Sequence, residues 1–518
     1  MELTIGTPPY GRIGLTPEYL VAADQAATDH HHSDHGSDAV NRASTRTFWF
    51  KLTVPVDASA GNATTTVSLQ GQSGGTLLSF AVVLEVGPSA IAIPVQPSID
   101  IYGNIWQHTG PADADDATIA SYYRNLWDHR VFTGPDMNEL HAQLNPGDDT
   151  VNVSSAGYER ELAYILAHSP FRGRTVGSTG GQWLKINGIT LPGHHGVDPN
   201  ASWLGIPMFT DATHAVLTAR YKKASSSYLT QCFAVLKKHG AGDRGLIKFF
   251  DEPTMEPETV NALRAVATHI RAVARAAGVK VRLRVSGGVP TPELVAAYSP
   301  GIWDMHSDAF EWYKPLYPAA RDAGMQITLY NNGVNLLSQP LLRTRTFFWA
   351  LFQQGLSGAL CWWSVSDWKR SGANFAGMFR EDMGFNQTLI YGQSGVLLLP
   401  PVPGSGVAAG APPLDTLQWE QTLLGLQDYE LLHALRAALG RAEARMLLPS
   451  AATDELPSIV DAVAVARAAL ADVSLVTQGL SAVRPTNDVT YTVDVTVLER
   501  VRRQVQDALS RLSEAPMG

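Results

Sequence analysis

Gly245-Leu246-Ile247-Lys248-Phe249-Phe250-Asp251-Glu252-Pro253-Thr254 decides how this chain is read. An apolar run interrupted only by Lys248 leads into two adjacent carboxylates, and a proline follows them. A short apolar run between turn signals reads as a buried strand. The proline ends it, because a residue without an N–H cannot extend a sheet ladder. Strict alternation sends neighbouring side chains to opposite faces of a sheet, so Asp251 and Glu252 serve one site only where the strand stops and its pleat breaks. In a parallel α/β barrel that C-terminal strand end opens onto the face where chemistry is placed. The competing structural reading is an acid pair that caps the following helix.

Downstream, Val260, Leu263, Val266, Ile270 and Val273 recur at spacings of three and four, which predicts a helix with one buried stripe. Thr254 and Glu256-Pro257-Glu258 supply negative charge and a proline at its first turn. From Pro97 onward, apolar strands alternate with amphipathic helices, the mark of βα units. Strands are expected near Ile99 to Trp106, Thr150 to Val153, Trp203 to Phe209, Leu246 to Asp251, Val279 to Val285, Ile302 to Met305, Gln326 to Tyr330 and Gly358 to Trp363. The count matches a (β/α)8 TIM-type barrel.

Before the barrel, Phe48-Trp49-Phe50-Lys51-Leu52-Thr53-Val54 and Leu77 to Val86 alternate in β fashion between Gly, Asn and Ser clusters, which suggests a small antiparallel β-sandwich. After the Pro/Gly/Ala stretch from Leu399 to Pro413, helical patterns run through Tyr429, Leu432 and Leu435 and again from Val497. The expected division is a β-sandwich module over 1–97, a catalytic barrel over 98–440 and a C-terminal helical extension over 441–518.

Length and composition set bounds on function. With 518 residues, 45% of them hydrophobic, the chain can bury a large core. A net charge of −9 and the absence of any long lysine or arginine run argue against nucleic acid as a partner. No run of about 18 uncharged apolar residues appears, so no membrane partner is expected and the chain reads as soluble, and cytoplasmic unless a leader has been removed. Cys232 and Cys361 lie far apart in apolar segments and read as buried thiols. His30, His31, His32 and His35 sit among acids and serines and read as a solvated loop, not a metal site. No cofactor is expected.

Cleaving a glycosidic bond needs a proton donor for the leaving oxygen and stabilisation of positive charge at the anomeric carbon. Two carboxyl groups on different strands, roughly 5 to 10 Å apart, usually supply both; consecutive residues do not span the bond that way. An adjacent pair fits a substrate that brings its own nucleophile. The carbonyl oxygen of a 2-acetamido group attacks the anomeric carbon, Asp251 stabilises the amide nitrogen of the oxazolinium ion, and Glu252 is the acid/base. The alternative is a barrel glycosidase for a sugar without the acetamide, pairing Glu252 with Asp308 or Glu420 from elsewhere in the barrel.

Other strand ends supply candidate substrate contacts. Tyr330 is placed to hold the acetamido carbonyl, or to pack under a loop. Of Trp362 and Trp363, alternation turns one toward the barrel axis, and Trp368 follows in the loop. His306 and Asp308 are candidates for sugar hydroxyls, and Asn104 stands at the end of the first strand. An arginine inside a barrel needs a partner, so Arg284 either holds the acid pair ionised or pairs with Asp304.

The region from Phe48 to Glu430 resembles glycoside hydrolase family 123 and its relatives. The likeness rests on Phe48 to Pro55, Phe250-Asp251-Glu252-Pro253, Gly355 to Trp363, Leu417-Gln418-Trp419-Glu420 and Gly425 to Glu430. It implies a β-sandwich followed by a barrel, and retaining β-N-acetylgalactosaminidase activity by substrate assistance on a glycan substrate. It also gives Asp251 the stabilising role and Glu252 the acid/base role, and puts Trp419 and Glu420 near the cleft. Two departures are a shortened sandwich and Gln418 where relatives often have arginine.

Overall fold

A parallel sheet carries the acid-bearing segment, and the order of its strands follows the order of the chain. The computed structural model describes residues 3–4, 12–13, 54–55, 57–70, 75–87, 116–131, 134–135, 140–145, 147–169, 184–186, 188–288, 291–306, 313–330, 341–360, 398–399, 413–447, 456–478 and 491–514. Among them the sheet comprises β1 (Leu184–Lys185), β2 (Gly245–Asp251), β3 (Val281–Ser286), β4 (Gly301–His306), β5 (Met325–Tyr330) and β6 (Ala359–Leu360), each beside its neighbour in sequence. Every pairing is parallel. Parallel neighbours need a crossover, usually a helix. α1 (Asp116–Asp128) and α2 (Ala156–His168) precede the sheet, and α3 (Ala219–Lys238) leads into β2. The crossovers from β2 to β6 carry α4 (Pro257–Ala276), α5 (Pro292–Tyr298), α6 (Tyr317–Asp322) and α7 (Leu341–Gln353). α8 (Leu417–Met446), α9 (Leu456–Ala471) and α10 (Val495–Glu514) follow.

The two faces of the sheet differ because its strands alternate in register. Val285, Trp303 and Ile327 are aligned across β3, β4 and β5, and with Leu283, Met305 and Leu329 they form a buried apolar face. Leu263, Val266 and Ile270 of α4 belong to the same core, as the spacing predicts, and Pro257 begins that helix. The other face is polar: Ser286, Asp304 and Thr328 are aligned on it, with Arg284 one step back on β3.

Two expected strands belong elsewhere. Thr150–Ser154 pairs antiparallel with His141–Asn145, and Ser202–Trp203 with Ile206–Pro207. Alternation predicts a strand but not its partner. Here Pro146-Gly147-Asp148 and Leu204-Gly205 are turn signals that let each segment pair with its immediate neighbour at low loop-closure cost. The edge of the sheet is taken by β1, two residues long and too short to show a period. The strand expected near Ile99 to Trp106 lies outside the described residues. So does most of Phe48 to Val54; from the expected sandwich the described residues contain one antiparallel hairpin, Gly61–Gln70 with Thr76–Val86. No helix among the described residues is long and apolar enough to cross a membrane. Cys232 is buried and free.

The C-terminal helices join the sheet domain through a buried charge cluster. The Asp428 carboxylate on α8 accepts from Arg345 Nε (2.7 Å) and Trp349 Nε1 (3.0 Å) on α7, and from Arg502 Nε (2.8 Å) on α10. Removing one member of a buried charge cluster leaves the others desolvated and unpaired, at about 3–5 kcal/mol. Asp428→Ala is therefore expected to lower the melting temperature sharply, and Asp428→Asn, which keeps one acceptor, less so; thermal denaturation of the two variants checks this.

Candidate active site

The acid pair stands at the C-terminal end of β2, where the strand pairing is irregular. Lys248 is aligned with Arg284, but the next aligned pair is Asp251 with Ser286. Phe249 and Phe250 thus oppose Val285 alone, a β-bulge. The extra residue restores Asp251 to the face of Lys248, whose Nζ lies 3.0 Å from Asp251 Oδ1. One residue further on, Glu252 has φ +44°, a left-handed conformation that side-chain-bearing residues adopt at a cost of about 1–3 kcal/mol. Strand alternation therefore does not separate the pair. Both side chains keep contact with solvent, Asp251 at 34% and Glu252 at 23% exposure.

The left-handed turn is held from both sides. Glu252 N–H donates to Ser286 O at 2.9 Å, and Gly287 N–H to Asp304 O at 2.8 Å. Gly287 has φ +67°, and a Cβ there would sit 3.0 Å from Glu252 Cγ. Across the acid, Thr254 N–H donates to His195 O at 2.6 Å. The His195 Nδ1 lies 3.3 Å from the Glu252 carbonyl oxygen and 3.5 Å from its Oε2. Beneath Asp251, the ring of Tyr298 stacks on Phe249 with centroids 5.3 Å apart. Burial holds the Tyr298 phenol well above its ordinary range, and the Asp251 charge raises it further.

Arg284 takes the structural alternative. Its Nε and Nη2 donate to Asp304 at 2.5 and 2.7 Å, and both residues are buried. His306 and Tyr330 are aligned with each other at the ends of β4 and β5, on the same sheet edge as the acid pair. Trp419 is wholly buried, its Nε1 donating to Asn125 Oδ1 at 2.9 Å, so its ring offers no face to a sugar. Glu420 is buried beside His129. Asn104, Asp308, Trp362, Trp363 and Trp368 lie outside the described residues. The sequence carries no signal for His195 or Lys248: His195 lies in a loop without periodicity, and Lys248 reads as an ordinary strand residue because alternation does not foresee the bulge that brings Asp251 to its face.

A parallel α/β sheet with paired acids at its C-terminal edge defines a class of architecture in which enzymes place their active sites. Comparison with known proteins narrows the fold. No protein-family model and no curated protein matches the chain. Among solved structures, the fold is similar to that of a family 123 glycoside hydrolase from Clostridium perfringens, studied for glycolipid glycan hydrolysis. That match has a TM-score of 0.57 and 11% identity, and covers 90% of this chain and 78% of that one. The endo-1,4-beta-mannanase from Rhizomucor miehei overlaps 52% of this chain and 86% of its own, at 9% identity and a TM-score of 0.32, too low to bear on the fold. The resemblance to family 123 read from the motifs thus extends to the three-dimensional fold.

Gly287→Ala tests the support of Glu252. A Cβ in the left-handed region costs about 1–2 kcal/mol, and here it also presses on Glu252. The variant is expected to melt several degrees lower, and its crystal structure to have the Glu252 side chain displaced.

Proposed function

We propose that the chain is a retaining glycoside hydrolase that removes β-linked N-acetylhexosamine, of the N-acetylgalactosamine type, by substrate-assisted catalysis. One observation carries the reading: adjacent carboxylates, both part-exposed at the end of a parallel strand next to the sheet edge, freed from alternation by a bulge and a left-handed residue. In the first step the acetamido carbonyl oxygen attacks the anomeric carbon, the bond to the aglycone oxygen breaks, and Glu252 delivers a proton to that oxygen. Asp251 accepts a hydrogen bond from the amide N–H and balances the charge of the oxazolinium ion. In the second step Glu252 takes a proton from water as the water oxygen bonds to the anomeric carbon, and the bond from that carbon to the acetamido oxygen breaks, which restores the acetamide. The Lys248 ammonium fixes the direction of the Asp251 carboxylate, and His195 covers Glu252. Tyr330, His306, Asp308 and the tryptophans Trp362, Trp363 and Trp368 are the proposed sugar contacts.

The fold likeness supports this reading, and so does the singly wound strand order, which is that of a barrel. In the proposed architecture the sheet closes into a (β/α)8 barrel that follows a β-sandwich; because α8 runs from Leu417 to Met446 across position 440, the C-terminal helical extension begins beyond that helix and not at 441.

Aryl 2-acetamido-2-deoxy-β-galactosides and glucosides, assayed beside the plain β-galactoside and β-glucoside, test the need for the acetamide. Turnover of the acetamido sugars alone is expected; turnover of the plain sugars alone eliminates substrate assistance. Glu252→Gln is expected to lose about 10²–10⁴ in rate on poor leaving groups and far less on very acidic ones, with equal losses counting against its role as acid. Asp251→Asn is expected to slow even activated aglycones, and full retention of rate would remove it from the mechanism.

A further inference from the structure

His129 follows the last turn of α1, 1% exposed. Its Nδ1 lies 2.9 Å from the Asn125 carbonyl oxygen. A carbonyl only accepts, so Nδ1 bears the hydrogen and the neutral ring presents a lone pair at Nε2. That atom is buried without a hydrogen-bond partner. It faces Glu420 Oε1 at 3.5 Å and Asp415 Oδ2 at 3.8 Å. The three ligand atoms lie within 4.8 Å of one another. A buried imidazole lone pair facing carboxylate oxygens is repelled by them unless a positive charge lies at Nε2 itself.

A proton and a metal ion on Nε2 differ in geometry. A proton on Nε2 would draw a carboxylate in to about 2.7–2.9 Å, the length of a charge-assisted hydrogen bond; neither carboxylate is that close. Ligands bound at about 2.0–2.2 Å to a tetrahedral ion stand about 3.3–3.6 Å apart, near the 3.5 and 3.8 Å that separate Nε2 from the two carboxylate oxygens. The surroundings also match a metal site, in which the second ring N–H and the carboxylates are held from outside. Asn125 does both: its carbonyl takes the Nδ1 hydrogen, and its Nδ2 donates to Asp415 Oδ1 at 2.7 Å. The Trp419 ring stacks on the imidazole with centroids 4.7 Å apart, and its Nε1 anchors the Asn125 side chain.

We propose that His129 Nε2, Asp415 Oδ2 and Glu420 Oε1 bind a divalent metal ion of the zinc class, with water completing the coordination. An imidazole beside two carboxylates favours Zn2+ over the harder Mg2+ and Ca2+, which prefer all-oxygen sites. Asp415, 24% exposed, gives the ion its way in. The ion ties the end of α1 to the start of α8, segments far apart in sequence, and so contributes to folding and not to the chemistry at Glu252.

The test uses the untagged full-length protein, stripped with chelator and titrated with ZnSO4. One equivalent is expected to remain after dialysis, read by elemental analysis, with the melting temperature raised by roughly 2–4 °C. His129→Ala and Glu420→Gln should lose both the equivalent and the shift. Asp415→Asn, which keeps the Oδ1 acceptor for Asn125, guards against loss of fold and should weaken binding more than about tenfold. A protein with His30, His31, His32 and His35 all changed to Ser should still bind. Failure to retain zinc, with an unchanged melting temperature, would leave the cluster without an ion and overturn the proposal. Binding that survives Glu420→Gln and Asp415→Asn, or that vanishes with the four-histidine variant, would overturn it too.

Discussion

The Asp304 carboxylate lies wholly inside the sheet, and the geometry of the acid pair depends on what it holds. It receives both Nε and Nη2 of Arg284, the Ser286 hydroxyl at 3.2 Å and the Thr328 hydroxyl at 2.5 Å. Three strands are pinned by one side chain. A buried ion pair of this kind adds little net stability over apolar packing, because desolvation offsets the attraction. Its value lies in register: a slip of one residue would put Asp304 in the apolar layer with Trp303 and Met305. The constraint reaches the acids through Ser286, whose side chain is bound to Asp304 and whose carbonyl receives the Glu252 N–H.

Against that anchor, the bulge in β2 and the left-handed Glu252 serve one end. A regular strand would present Asp251 and Glu252 on opposite faces. The bulge turns Asp251 to the polar face, and the left-handed residue redirects the chain before Pro253 takes it away from the sheet. The local strain at Glu252 is carried by hydrogen bonds to β3 and by Gly287, which leaves room for the acid's own backbone. Similar strained residues cluster at functional sites in other proteins.

The central part of the fold was legible because it is written in local pattern. The strands from Leu246 to Leu360 carry runs of apolar residues, and α4 carries its buried stripe at helical spacing with Pro257 at the start. What was not legible depends on long-range pairing. Thr150 to Val153 has the composition of a sheet strand, yet a short turn gave it a nearer partner. Leu184–Lys185 takes the sheet edge with too few residues to announce itself. At the candidate site, the Asp-Glu-Pro motif marks where the strand ends in adjacent acids, and the need of Arg284 for an anion was readable, with Asp304 among the choices. His195 and Lys248 were hidden, one by a loop without periodicity and the other by a bulge that no alternation rule anticipates. Family likeness puts Trp419 near the cleft; its ring is enclosed between Asn125 and His129.

One feature of the fold bears on how this protein can be divided. α8 passes unbroken through position 440, burying Leu435, Leu439 and Ala442 on either side of it. A fragment cut there would end in mid-helix with raw apolar surface, and would leave Asp428 without Arg502. Proteolysis or recombination at that point would separate neither a sheet domain nor a helical one. A shortened form of this protein that still folds would therefore keep α8 whole, together with the Arg502 that α10 brings to Asp428.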